Sequence, residues 1–405
     1  MYMTAAERES PPSPARALEM RSPFVRLREL LADIKPGQPA ISLAVGEPQH
    51  AVPSFVGPVL AGAIGEFGRY PLNKGLDEFC AAAADWLGRR FSLPRPIDPA
   101  IEVLVLNGSR EGLFLAAIAA ARWAKGRAGR PAILMPNPFY GAYEAGAVAA
   151  HCEPVYLPAT AATGFLPDLD TLSDALLART VAFYLASPAN PQGSVAAPSY
   201  FARLAELARR HGFLVFSDEC YSEIYTGRKP PSMLEAAGSD FENVVVFQSL
   251  SKRSNLPGLR VGFAAGDKNF LTRFLELRNV SSPQVPLPAQ RVAIAAYADE
   301  SHVEDNRRLY AEKFELADRT LGKRYGYRRP GGGFLLWLDV SAHGGDEAVA
   351  LKLWRQAGLR VVPGSYLARE QADGSNPGAG YIRVAMVQDA ATTADALQRL
   401  IAVLG

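Results

Sequence analysis

The chain has only three cysteines in 405 residues, Cys80, Cys152 and Cys220, odd in number and far apart. That spacing gives neither a disulfide framework nor a metal-ligand cluster, and no metal is expected. Charge of one sign is also missing. Lysine and arginine total 43 against 41 acidic residues, so a net charge of +2 gives no electrostatic reason for nucleic acid or an anionic membrane as partner. No uninterrupted apolar run reaches the ~18 residues that a membrane helix requires. The N-terminus carries Glu7, Arg8, Glu9 and Pro11, Pro12 and Pro14 where a signal peptide would be apolar. A reduced, cytoplasmic enzyme is the expectation.

What is present is an ordinary globular composition, 48% hydrophobic and 21% charged, on a chain long enough for two domains. Residues 1–20 are polar and proline-rich, and mobility is expected there. An amphipathic helix with Phe24, Leu27, Leu30 and Leu31 on one face follows, then a short strand over 41–45 ending at Gly46-Glu-Pro48. Residues 101–263 alternate strand and helix. Strands are predicted at 101–106, 132–135, 154–157, 181–185, 213–217, 244–247 and 261–265, with an Ala-rich helix over 111–124. Short apolar strands separated by helices indicate α/β architecture, a mostly parallel sheet in an α/β/α sandwich. Ligands of such sheets sit at the carboxyl ends of the strands. A long helical stretch is predicted over 290–321, then a glycine-led strand at 331–338, another helix, the segment 360–362 and a strand at 381–384, completing a smaller α+β unit. The predicted division is 1–20 as an extension, 21–50 packing with the small domain, 51–290 as the large domain and 291–405 as the small one.

The polar motifs fall at the predicted strand ends. Lys252 lies in Ser249-Leu-Ser-Lys-Arg-Ser-Asn-Leu-Pro-Gly-Leu-Arg260, directly after the apolar run 244–247. Burial and neighbouring cations favour a neutral, nucleophilic amine there, suited to bonding a phosphorylated aldehyde. A loop lysine beside a turn is the competing reading. Asn107-Gly-Ser-Arg-Glu-Gly112 joins strand to helix and offers backbone N–H groups to a phosphate, or is a plain helix start. Asn190, in Ser187-Pro-Ala-Asn-Pro-Gln-Gly193, either faces a ligand or caps its own turn. Asp218, in Ser217-Asp-Glu-Cys-Tyr221, needs a cation if buried, and a protonated pyridine nitrogen would supply one. Capping a following helix is its alternative, with Glu219 better placed for that task. Arg383, in the apolar run 381–384, suits a fixed carboxylate or a structural ion pair.

Taken together, the Asn-Pro-x-Gly, Asp-x-x-Tyr and Ser-x-Ser-Lys…Gly-x-Arg set resembles the fold-type I pyridoxal-phosphate aminotransferases of the aspartate aminotransferase superfamily, from about Phe24 to the C-terminus. The resemblance implies pyridoxal 5'-phosphate as cofactor and Lys252 as the residue that bonds its aldehyde and later moves the substrate Cα proton. It implies Asp218 on the pyridine nitrogen, and Asn190 and Tyr221 on the ring's phenolic oxygen. Gly108, Ser109 and Arg110 would form the phosphate-facing turn, with Ser249 and Arg260 as further phosphate ligands. Tyr140 would stack on the ring, and Tyr70 would cross to the neighbouring subunit's phosphate, so a homodimer is implied. Arg383 would grip the substrate α-carboxylate, helped by the backbone at Gly46.

A narrower resemblance, to N-succinyldiaminopimelate aminotransferases of lysine biosynthesis, is carried by residues 107–113, 218–225, 251–260, 362–369 and 376–380. It implies glutamate and 2-oxoglutarate as the second substrate pair. The stretch 279–288 departs from the pattern and holds no arginine, so a distal carboxylate would fall to Arg110, Lys74, Arg253 or Arg369. An aminotransferase of another substrate range and a pyridoxal-dependent C–S β-lyase are the alternatives. A ligand-sensing regulator would need a DNA-binding domain, for which the residues before Arg21 are too few.

Overall fold

The computed structural model describes residues 20–123, 127 and 129–405, so the expectation for 1–20 lies almost wholly outside it. Twelve strands are found among these residues: β1 (Ile41–Ser42), β2 (Val103–Leu106), β3 (Ala132–Asn137), β4 (Glu153–Pro158), β5 (Thr180–Ala186), β6 (Leu214–Asp218), β7 (Val244–Ser249), β8 (Gly262–Gly266), β9 (Leu335–Asp339), β10 (Leu359–Arg360), β11 (Val362–Pro363) and β12 (Tyr381–Ala385).

Seven of them form one sheet in the order β2-β8-β7-β6-β5-β3-β4. Only β8 runs against its neighbours; the remaining pairs are parallel. The reversal has a local cause. Between Ser249 and Gly262 the chain makes one short helix (Leu250–Arg253) and a turn, too little for the crossover that a parallel strand needs. Every residue of β2, β3, β5, β7 and β8 is buried, and helices such as Ser109–Trp123 and Pro198–His211 cover the faces. The central strands read as continuous apolar runs for this reason.

A second, antiparallel sheet has the order β11-β12-β9, and β1 pairs in parallel with β10. The segment 360–362 is thus two strands in two sheets. The helix Pro23–Leu31 buries Leu27 and Leu31 against Trp354, Val362 and Tyr366. Phe24 remains 39% exposed rather than joining that face. The predicted stretch 290–321 is two helices, Leu287–Ala298 and Ser301–Leu321. Asp299 breaks it, because its carboxylate accepts hydrogen bonds from the backbone of Ser301 and His302 and starts a new helix. Val292, Ala293, Ala296 and Tyr297 pack with the large sheet, whereas Tyr310, Phe314, Ala317 and Leu321 pack with the small one. The chain therefore passes from one core to the other at residues 299–301. No described helix is long and apolar enough to cross a membrane.

Candidate active site

The carboxyl ends of β5, β6 and β7 open into a cavity of about 1150 Å³, walled on the other side by Arg383 of β12 and by residues 20–24 and 45–47. Lys252 sits in the one-turn helix that follows β7, and Ser249 caps that helix by accepting from the Ser251 N–H. Burial, then the charges of Arg383 and Arg110, help push the Lys252 ammonium down to about 8. Its Nζ donates to the Gly46 carbonyl. Lys313 is also pushed down to about 8 by burial, yet it does not line the cavity. The depressed pKa alone does not choose between the two lysines; the cavity does.

Asp218 ends β6. Its Oδ2 accepts from the Tyr143 hydroxyl at 2.7 Å and its Oδ1 from the Cys220 N–H at 3.2 Å. Tyr143 lies in the helix Gly141–Ala149 and stacks on Tyr184, ring centroids 4.5 Å apart and planes nearly parallel. Sequence reasoning missed Tyr143; its one signal was the three-residue helical spacing from Tyr140. No helix follows Asp218, so neither acid is a helix cap there. Glu219 is instead fully buried, where its carboxylate accepts from Ser217, Ser232, Met233 N–H and Gln248, and burial raises its pKa to about 7.

Arg383 is 4% exposed and makes no ion pair among the described residues. Its guanidinium donates to Asn190 Oδ1 at 3.1 Å and to the Ala44 carbonyl at 2.6 Å, while Nε has no partner. A buried guanidinium with an unused donor, facing a cavity, is built to receive an anion. Asn190 thereby serves Arg383 rather than its own turn. Gly46 meets Lys252; the carbonyl that reaches Arg383 belongs to Ala44. Tyr221 packs edge-on against Phe334 at 5.3 Å, and burial holds its hydroxyl protonated, opposed by the Arg383 charge.

Opposite lies a second anion cradle. Helix Ser109–Trp123 starts at the cavity, and Gly108 precedes it with φ +76°. A Cβ at Gly108 would stand 2.1 Å from Arg260 Nη2, so glycine is what lets the guanidinium approach the helix start. Ser109, Ser249, Ser251 and Arg260 all line the cavity. Hydroxyls, a guanidinium and a helix N-terminus form a phosphate-type donor set. Arg110 donates to the Tyr140 hydroxyl at 2.5 Å.

Of the four cations considered for a distal carboxylate, only Arg110 and Arg369 reach the cavity. Arg369 is held in two hydrogen bonds by the buried Glu144, at 2.8 and 2.6 Å. Lys74 pairs with Asp77 outside the cavity, and Arg253 is buried against Ala296 and Glu300. Tyr70 is 96% exposed and does not line the cavity of its own chain. The loop 279–288 buries Val285 and returns the Gln284 carbonyl to Asn107.

The arrangement fits pyridoxal phosphate: an anion cradle at Gly108 and Arg260, a carboxylate at Asp218, and a lysine on the same cavity. Comparisons with known proteins agree. Residues 38–404 match the family model for class I and II aminotransferases. The LL-diaminopimelate aminotransferase of Desulforudis audaxviator is 33% identical over 94% of this chain and 95% of its own. A crystal structure of an aminotransferase from Neisseria meningitidis is 39% identical with a TM-score of 0.89, covering 95% of this chain and 98% of that one. A probable N-succinyldiaminopimelate aminotransferase from Thermus thermophilus is 26% identical, TM-score 0.83, over 95% and 100% of the two chains. The chain belongs to the class I and II aminotransferases and is a pyridoxal-phosphate-dependent enzyme that transfers an amino group between an amino acid and a 2-oxo acid.

Proposed function

We propose that the substrate is a diaminopimelate-type amino acid, N-succinyl-LL-2,6-diaminopimelate, with 2-oxoglutarate and glutamate as the second pair. The observation that carries this reading is the cavity. At about 1150 Å³ it has room for a long substrate beside the cofactor, and cations stand at both Arg383 and Arg110. Unsuccinylated LL-diaminopimelate is the second reading, favoured by the names of relatives such as the Desulforudis enzyme. The distal end of the succinylated substrate carries two carboxylates and an amide, whereas free diaminopimelate ends in one carboxylate and an ammonium. Arg369, already neutralised by Glu144, leaves Arg110 as the distal cation.

The residue roles follow from chemistry. Pyridoxal phosphate, when bound, supplies an electron sink for the bond broken at the substrate Cα. Asp218, oriented by Tyr143, keeps a cationic ring nitrogen in place. Lys252, with its lowered proton affinity, takes and returns the Cα proton. Arg383 binds the α-carboxylate through its guanidinium, which lines the cavity. Ser109, Ser249 and Arg260 hold the phosphate, Tyr140 packs on the ring, and Asn190 and Tyr221 face its phenolic oxygen.

The protein acts in the cytoplasm as a homodimer. Ile64, Phe67, Tyr70 and Leu72 expose 63–96% of their surfaces in one short stretch, an apolar face suited to a second copy. From it Tyr70 would reach the partner's phosphate site. The large domain runs from 51 to about 298 and the small one from about 301 to 405, with 21–50 packed on the latter.

The test is a single-turnover panel: mix the pyridoxal form with N-succinyldiaminopimelate, LL-diaminopimelate, aspartate and aromatic donors, and follow conversion to the pyridoxamine form. Fastest conversion by N-succinyldiaminopimelate supports the reading. Fastest conversion by LL-diaminopimelate selects the second reading, and response only to aromatic or small neutral donors overturns both.

A further inference from the structure

Behind Lys252 lies a chain of buried and half-buried polar side chains to which neither the motifs nor the reaction assigns a task. The helix Leu250–Arg253 is one turn long, so most of its carbonyls lack partners within it. Asn306, on the helix Ser301–Leu321 and 2% exposed, supplies two: its Nδ2 donates to the carbonyls of Lys252 at 3.3 Å and Arg253 at 3.5 Å. With its nitrogen committed there, Asn306 turns Oδ1 to His50 Nδ1 at 2.5 Å. His50 must therefore carry its proton on Nδ1, leaving Nε2 to accept from Lys313 Nζ at 2.7 Å. Lys313, 2% exposed, also donates to the Met386 carbonyl at 3.2 Å, directly beyond β12, and forms no ion pair among the described residues. Every donor in the series points the same way, from Lys313 to the backbone of Lys252.

A second route reaches the other end of the same residue. The His50 ring packs on Tyr310 at 4.5 Å, Tyr310 stacks on Phe334 at 5.3 Å, and the Phe334 ring lies 5.4 Å from Lys252 Nζ. His50 also closes the segment whose Gly46 carbonyl receives that Nζ. Lys252 is thus gripped at its backbone and its amine by one cluster, anchored on the small core and on the strand of Arg383.

We propose that Lys313, His50 and Asn306 are positioning residues that hold Lys252 in register with Arg383 across the two cores. This rests on Lys252 being the residue that bonds the cofactor. An uncompensated ammonium is costly to bury, and its retention against a neutral imidazole is explained by the directional chain it starts.

The test compares Asn306→Leu and Lys313→Met with the native protein, in cofactor-loaded and cofactor-free forms. Backbone hydrogen exchange over residues 250–254 is expected to accelerate about tenfold while the remote helix Pro198–His211 is unchanged. In the loaded enzyme the pH midpoint of the lysine-linked cofactor absorbance should move, and kcat should fall about fivefold with KM for the amino donor nearly constant. Unchanged exchange at 250–254, equal acceleration in both regions, or an unmoved absorbance midpoint overturns the proposal. Should Asn306→Leu fail to fold, Lys313→Met decides it alone. Lys252→Ala separates the two levels: if it keeps the lysine-linked absorbance, the reading of Lys252 itself fails, whereas loss there with no effect of the network variants removes only the network.

Discussion

The Tyr143 hydroxyl donates to Asp218 Oδ2 across 2.7 Å, in a site where the tyrosine is fully buried and stacked on Tyr184. The carboxylate at the end of β6 is therefore held from behind, with its approach fixed before any ligand arrives. Burial and the adjacent Asp218 charge keep that hydroxyl protonated throughout the working pH range, so it is a permanent donor.

Tyr143→Phe removes the donor with no change of shape. A hydrogen bond to a charged group contributes about 2 kcal/mol, and that loss is expected in urea unfolding of the cofactor-free protein. A loss under about 0.5 kcal/mol would show that Asp218 finds another donor.

Gly108→Ala puts a Cβ where the Arg260 guanidinium stands, 2.1 Å from Nη2. Because the arginine tip can swing away, the fold should survive, with about 1 kcal/mol lost to the positive φ. Displacing Arg260 from the helix start is expected to weaken cofactor retention about tenfold, measured as the dissociation constant. Unchanged retention would remove Arg260 from the phosphate site.

In the cofactor-free protein Lys252 holds its proton only up to about pH 8, against 10.5 for an ordinary lysine. Below pH 8 the neutral fraction falls tenfold per unit, so acylation of Lys252 should rise with that slope and level off above pH 8. Mass spectrometry of the modified peptide reads this out. A midpoint near 10.5 would mean that Lys252 is not desolvated.

Arg110→Leu should raise KM for N-succinyldiaminopimelate about tenfold more than KM for a monocarboxylic donor, because only the longer substrate carries a distal carboxylate. Equal effects on both donors would place Arg110 outside distal recognition.

Much of this site was legible in the sequence because its residues sit at strand ends after apolar runs. Asp218 and Ser249 end strands, and Lys252 follows one, that period-2 geometry and β-branched composition announce. The partners behind them were not legible. His50 and Asn306 are 256 positions apart, and Asn306 and Lys313 look like ordinary polar positions of a charged helix. Glu219 was misread because burial beside Ser232 and Gln248 leaves no local mark. The break at Asp299 did leave one: a capping aspartate two residues before a serine, in a stretch without proline or glycine. The reversal of β8 follows from the short connection after Ser249, visible as a length alone.

Lys252, and not the similarly perturbed Lys313, is the lysine proposed to bond the cofactor. Borohydride reduction of the loaded enzyme followed by peptide mapping tests it directly. The cofactor mass is expected on the peptide containing Lys252 and is expected to be absent in Lys252→Ala; the mass on the peptide containing Lys313, or on any other lysine, would overturn the assignment.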